Sequence, residues 1–306
     1  MPPPHGTPNP LEGPGDYDVT ATIHNDTYPN ISPLSKPAIK KSVFIAGASR
    51  GIGLAIAKSY AQAGASKITI GARSPLDSAK NDILAVAEKA GRSPPQVLCV
   101  KFDITSVASV SDATKTVENE FKNLDILVIN AGILGKPALI ADSDPDEWWE
   151  VWNVNLRGPF LVTRAFLPLL LKGGDKTIVA TSSVGAHLTG PALSAYQPSK
   201  LAVLRLMEFV QVEYAQQGVI AFAIHPGNVV TDVVGGAEGV ESLGLAKVFV
   251  ETPELSADTI VFLTREKKEW LGGRYINVTW DMPQLMEKRD AIVKGDKLKV
   301  KLDVSF

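Results

Sequence analysis

Cysteine is nearly missing from this chain: Cys99 is the only one in 306 residues. A single thiol excludes an intrachain disulfide and leaves no cysteine-based zinc site, and no metal is expected. Set in the apolar run Val97-Leu98-Cys99-Val100, Cys99 is expected to be a small buried hydrophobe rather than a reactive thiol. An excess of one charge is missing too. Lys and Arg number 31 against 33 Asp and Glu, so there is no basic stripe to neutralise phosphates and nucleic acid is not an expected partner. No apolar run reaches the roughly 18 residues that would cross a bilayer, so no membrane is expected either. The opening residues, MPPPHGTPNPLEGPG, lack the cationic start and apolar segment of a secretory signal. The expectation is a cytoplasmic protein.

What is present is ordinary for a globular domain: 45% hydrophobic and 21% charged residues. Residues 1–40 stand apart as an N-terminal extension rich in Pro, Gly, Asn and Asp, without period, and the first 16 or so are expected to be mobile. Within it Tyr28, Ile31 and Leu34 are apolar anchors. That stretch either lies extended on the domain or belongs to a disordered tail. From residue 42 short Val/Ile-rich runs alternate with longer helical segments. The runs are 43–46, 67–70, 97–100, 126–129, 177–180, 220–223 and 275–278. Most are apolar on both faces, as strands covered on each side must be. The alternation predicts an α/β, Rossmann-like doubly wound parallel sheet of about seven strands, with helices on both faces, in one domain spanning 41–282. Ser143 or Asp144 caps a helix opening at Pro145, and Gly64, Gly91 and Gly218 close helices. Residues 283–306 form a C-terminal extension.

After the first run comes Gly47-Ala48-Ser49-Arg50-Gly51-Ile52-Gly53, and then a helical segment from Leu54. Glycines at this spacing let the backbone turn sharply and approach a ligand closely. A helix N-terminus then offers free N–H groups and a positive dipole end to a pyrophosphate. The end of the second run selects the dinucleotide. An acid there would bind ribose hydroxyls, whereas a cation pairs with a 2′-phosphate. The chain reads Gly71-Ala72-Arg73-Ser74 with no acid beside Arg73, and Arg50 adds a second cation. Guanidinium forks suit phosphate, so the expected cofactor is NADP(H).

Tyr196 and Lys200 are four residues apart, on one face of a helix, and Ser183 ends a strand-like run upstream. Converging phenol, ammonium and hydroxyl groups can hold a carbonyl and hand it a proton. An ammonium near a phenol favours the phenolate, so Lys200 is expected to depress the Tyr196 pKa from about 10. Tyr196 then serves as general acid in reduction and general base in oxidation, with Ser183 donating to the substrate oxygen as charge develops.

Together these residues resemble the short-chain dehydrogenases/reductases, in the branch of small single-domain enzymes and its fungal members. The resemblance runs from about Ser42 to Asp281. It adds Asp103-Ile104-Thr105 after the third strand and Asn130-Ala131-Gly132 after the fourth, Asn155, and Pro226-Gly227-Asn228-Val229-Val230-Thr231. It implies that Asp103 and Ile104 meet the adenine, that Asn130, Ala131 and Gly132 flank the cofactor, and that Pro226, Gly227, Val229 and Thr231 close over the nicotinamide. It also implies that Lys200 bonds the nicotinamide ribose and that Asn155 holds a water relaying the proton. Two residues depart from the family pattern: Ala46 stands for a threonine and Ile129 for an asparagine. The implied partners are a small carbonyl or alcohol substrate and further copies of the chain, paired as a homodimer or homotetramer through the helices holding Asn155 and Tyr196.

Several residues carry softer expectations. His225 is structural, and His187 is a candidate substrate contact. Trp148, Trp149 and Trp152 pack in a core or an interface, and Arg265-Glu266-Lys267-Lys268-Glu269 is a solvated helix end. Residues 232–250, rich in glycine, fall at the family's mobile substrate lid. The tail 293–302 covers a pocket or reaches a neighbouring subunit. Two other functions stay open: a cofactor-binding regulatory protein without turnover, and an epimerase or dehydratase working through transient hydride transfer.

Overall fold

The computed structural model describes residues 11–13, 15–35 and 37–304. Seven strands form one parallel sheet: β1 Ser42–Ala46, β2 Lys67–Ala72, β3 Gln96–Lys101, β4 Ile126–Ile129, β5 Thr177–Thr181, β6 Ile220–His225 and β7 Tyr275–Asn277, in the order β3-β2-β1-β4-β5-β6-β7. Each expected run is a strand. β1, β4 and β6 are buried throughout because helices cover both faces. The chain starts at β1, winds outward to β3, then crosses back to β4. The strand order therefore reverses between β1 and β4, where an open α/β sheet has its ligand crevice.

Among the described residues ten α-helices complete the layers: α1 Gly51–Gln62, α2 Asp77–Lys89, α3 Val107–Phe121, α4 Pro145–Trp152, α5 Gly158–Leu170, α6 Tyr196–Tyr214, α7 Gly236–Ser242, α8 Pro253–Arg265, α9 Met282–Glu287 and α10 Arg289–Lys294. α1 packs against α2 and α8, while α3 packs on α5 and α4 on α6. Asp144 caps α4 by accepting from the N–H groups of Asp146 and Glu147. Gly64, Gly91 and Gly218 take positive φ past their helices. At the other end of α8, the Lys41 ammonium donates to the carbonyls of Thr264 and Arg265, satisfying acceptors at the negative helix end.

Three expectations change. Cys99 is exposed, because β3 is the outer strand of the sheet. Arg265 is not a solvated end: its guanidinium donates to the carbonyls of Pro33 and Pro37 and ties the N-terminal extension to α8. The described part of residues 11–16 is packed rather than loose, with the Trp280 indole N–H on the Gly15 carbonyl at 3.0 Å; residues 1–10 and 14 lie outside the described ones. The C-terminal tail lies on its own domain. Tyr275 N–H donates to Leu298 O at 2.8 Å and Val300 N–H to Glu208 at 3.1 Å, which covers the β7 edge that would otherwise offer unpaired backbone groups.

The rest of the extension follows the carboxyl ends of the last strands. Ile31 is buried, Ile23 bridges antiparallel to Trp280, His24 pairs with Asp281 at 2.9 Å, and Met282 N–H donates to the Tyr28 hydroxyl.

Candidate active site

The glycine turn sits at the carboxyl end of β1, and its geometry explains its residues. A Cβ on Gly53 would stand 1.9 Å from Gly47 O, and one on Gly47, at φ +83°, would stand 2.8 Å from the Ala131 Cα. Both positions therefore need glycine. No side chain caps α1, which leaves its first N–H groups free for an anion. Asn130 donates to Gly47 O at 3.1 Å and accepts from Thr181 at 3.3 Å. It thus links β4, β5 and the turn although Ile129 and Ala46 replace the usual polar residues. Gly51 faces Thr231 across the crevice, a Cβ there being 3.7 Å from Thr231 Cγ2. Ser49 lies half-buried in the same turn, and Ile52 packs on the core.

At the β2 end Arg73 and Ser74 are exposed. Among the described residues Arg73 has no ion pair, and its charge is felt by Asp103, whose carboxyl is held below the usual range chiefly by hydrogen bonds from Thr105. Arg50 pairs with Asp232, both largely exposed. Ile104 lies under Gly158, where a Cβ would be 2.7 Å away.

Tyr196 opens α6 and is half-buried, with Lys200 one turn on and buried. Lys200 Nζ lies 5.8 Å from the Tyr196 ring centre and donates to Thr181 O at 3.1 Å. A Cβ on Gly132 would be 3.1 Å from Nζ and 3.3 Å from Asn155 Oδ1, so a side chain there would press on both. The expected depression of the Tyr196 pKa by Lys200 does not hold in the chain alone. Burial raises the phenol, with a hydrogen bond from Ser183 acting the other way, and burial also lowers Lys200 to about 8. Loss of hydration penalises both charged forms and outweighs their attraction. Ser183 Oγ accepts from Gly185 N–H at 3.0 Å, while Ser182 donates to Lys200 O at 2.8 Å and is structural.

Asn155 lies in a π-helical turn, Asn153–Arg157, between α4 and α5. Such turns often mark functional positions. Its amide accepts from Ile133 N–H at 2.9 Å and donates to Ile133 O at 2.8 Å and Ser199 Oγ at 3.1 Å. The side chain thus anchors the loop after β4 to α6.

The segment after β6 turns back over the crevice. Gly227 takes φ +80°, the Pro226 carbonyl accepts from Ser256, Val229 is buried, and Asn228 N–H donates to Glu251 at 2.7 Å. Residues 232–250 leave at Thr231 and return where Val229 bridges Glu251. Within them Val240 and Val248 are buried, whereas Val233 and Leu243 are exposed.

His187 turns its ring edge-on to Tyr275 at 4.7 Å. Trp148, Trp149 and Trp152 stack on one another, with Trp149 exposed and the other two half-buried, and Trp148 donates to Ser194 at 3.2 Å. His225 is buried, as expected of a structural residue, and burial lowers its pKa to about 3.

Sequence reasoning missed a group beside this site. Burial raises Asp16, from the N-terminal extension, to about 6 and Glu251 to about 7, and Glu251 also feels the charge of Asp16. Their separation of more than two hundred residues left no local signal.

Three comparisons bear on the chain. Residues 41–239 match the family model described as short chain dehydrogenase. The chain is 56% identical over 301 residues to the short chain dehydrogenase pigC of Monascus ruber, covering 98% of this chain and 99% of that protein. It is also 56% identical over 295 residues to tazN of Aspergillus terreus, a short chain dehydrogenase, with 95% of this chain and 63% of that protein covered. Among solved structures it is similar to levodione reductase, with a TM-score of 0.71 at 24% identity, covering 80% of this chain and 97% of that one. That likeness concerns the fold.

Proposed function

The chain belongs to the short-chain dehydrogenase family, and on that premise we propose that it is an NADP-dependent oxidoreductase interconverting a carbonyl compound and a secondary alcohol. The observation that carries the reading is the half-buried Tyr196 phenol beside Ser183, with the Lys200 ammonium 5.8 Å from the centre of its ring. The glycine turn at α1 would hold the pyrophosphate, Arg73 the 2′-phosphate, and Lys200 the ribose. The reduced nicotinamide, when bound, supplies hydride to the carbonyl carbon.

The chain's own residues handle the oxygen. A carbonyl oxygen accepting from the Ser183 and Tyr196 hydroxyls gains negative charge as its carbon is reduced, and the Tyr196 proton moves to it. The nascent phenolate is stabilised by Lys200. Asn155, by tying Ile133 to Ser199, keeps the loop after β4 and α6 in register, so that Tyr196 and Lys200 hold their places. The set Asn155, Ser183, Tyr196 and Lys200 supports turnover over a silent regulatory role.

The test is NADPH oxidation across classes of ketone and aldehyde. Turnover of at least one class is expected, and its absence with every class sinks the reading. The pH profile adds a sign. Below about 8 Lys200 is charged and can stabilise the phenolate; above it the proton is lost. The kcat/KM for reduction should therefore be level near neutrality and fall up to about tenfold per pH unit above 8.

The chain is also proposed to pair with copies of itself. On α6, Leu201, Phe209 and Val212 are exposed at helical spacing, with Phe160 exposed on α5. An apolar stripe of this kind fits an interface. Light scattering should give a dimer or tetramer mass, and a monomer mass would contradict it.

A further inference from the structure

Val184, the residue after Ser183, is gripped from two sides by residues distant in sequence. From the sheet, His225 Nδ1 accepts the Val184 N–H at 3.1 Å. Burial keeps that ring neutral, and an accepting Nδ1 places the ring proton on Nε2. From the surface, the N-terminal extension presses Gly13 against Val184. A Cβ there would lie 2.7 Å from Val184 Cγ2 and 3.7 Å from its carbonyl oxygen.

Gly13 is itself held. Its N–H donates to Asp16 Oδ2 at 2.7 Å, and Asp16 Oδ1 accepts from the Asn277 amide at 3.0 Å. Asn277 stands opposite His225 in the register of β6 and β7. The two grips thus share one base, a pair of neighbouring strand residues, and meet at Val184. What they fix is the path from Ser183 to Gly185. Gly185 N–H donates to Ser183 Oγ, which occupies an acceptor site of that oxygen and leaves its proton to be donated elsewhere.

The geometry points to a positioning role for His225 and for the Gly13–Asp16 turn: through Val184 they aim the Ser183 hydroxyl at the substrate oxygen. This rests on the reading of Ser183 given above. It also assigns a purpose to a segment outside the matched family region, residues 41–239. Neither His225 nor the turn touches the reacting atoms; both act through Val184. A misplacement of about 1 Å at a catalytic group can cost up to about 10²-fold in rate, so a buried donor of this kind repays being held twice.

The test uses the full chain with Gly13→Ala, His225→Leu, His225→Gln and the Gly13→Ala/His225→Leu double variant. For each, kcat, KM, NADPH affinity and amide hydrogen exchange at residues 184–187 are measured. Gly13→Ala and His225→Leu should each lower kcat about tenfold, shift KM less, and leave NADPH affinity in place. His225→Gln, whose amide oxygen can still accept, should recover most of the loss. The double variant should be no worse than the poorer single one, since both act through one residue. Exchange at Val184 should speed up in the two single variants and slow again with glutamine.

Unchanged kcat and exchange in both single variants would overturn the inference, as would losses that multiply in the double. Gly13→Ala probes the same contact from the surface, so a His225 variant that does not fold leaves the question answerable. A wild-type chain that turns over no ketone defeats the reading of Ser183. The exchange data alone then decide whether the grips act on Val184.

Discussion

Tyr196→Phe is expected to lower kcat by about 10²–10⁴-fold, the range for loss of a general acid, while NADPH binding stays nearly unchanged. The substitution removes one oxygen and keeps the ring. The local fold does not depend on that oxygen: the Tyr196 carbonyl accepts from Ser199 at 2.7 Å, and Ser199 is held by Asn155. Lys200 keeps its bond to Thr181 O as well, so the proposed ribose contact survives. What is lost is a phenol whose proton, retained by burial, is ready for the carbonyl oxygen. Ser183 would still donate, yet it has no ammonium behind it to stabilise an alkoxide. Single-turnover oxidation of bound NADPH, with a fluorescence titration of the cofactor, separates the two effects. Residual turnover above a tenth of wild type would remove Tyr196 from the acid role.

Much of this was legible because the signals are local. β1, β4 and β6 read as continuous Val/Ile/Ala/Phe runs because helices bury both faces. Gly47 and Gly53 read as a ligand turn because a strand precedes them and a helix follows. Tyr196 and Lys200 read as a pair because helical spacing alone brings them together. The errors share an opposite cause. Cys99 looks internal in an apolar run, but whether a strand is central or outermost depends on pairings made elsewhere. Lys200 was expected to lower the phenol pKa, but the burial that costs both groups their hydration comes from the whole fold. The N-terminal extension carries few apolar residues and no period, so nothing in it announced that Gly13 meets Val184 or that Asp16 meets Asn277. Contacts between segments so far apart in sequence, each made by one or two atoms, leave no pattern in the chain.

Arg73→Asp should reverse the cofactor preference, lowering the NADP/NAD ratio of kcat/KM by about 10²–10³-fold. A hydrogen bond to a charged group contributes about 1.5–3 kcal/mol, and each 1.4 kcal/mol is a factor of about ten. The swap also sets a carboxylate where the 2′-phosphate would sit and offers an acceptor to the ribose hydroxyls of NAD. The neighbourhood favours Arg73 over Arg50 as the deciding cation. Arg50 is paired with Asp232, so part of its charge is already balanced. Arg73 has only the weaker field of Asp103, whose carboxylate is itself committed to Thr105. Arg50→Ala should therefore change the ratio less than Arg73→Ala. Because Arg73 is exposed, its attraction for phosphate is screened by salt, and the wild-type preference for NADP should weaken as ionic strength rises. In Arg73→Asp that salt dependence should vanish or invert, since a carboxylate repels the same phosphate. An unchanged ratio in Arg73→Asp, or equal losses for the two arginines, would shift the selection of the cofactor to some other part of the crevice.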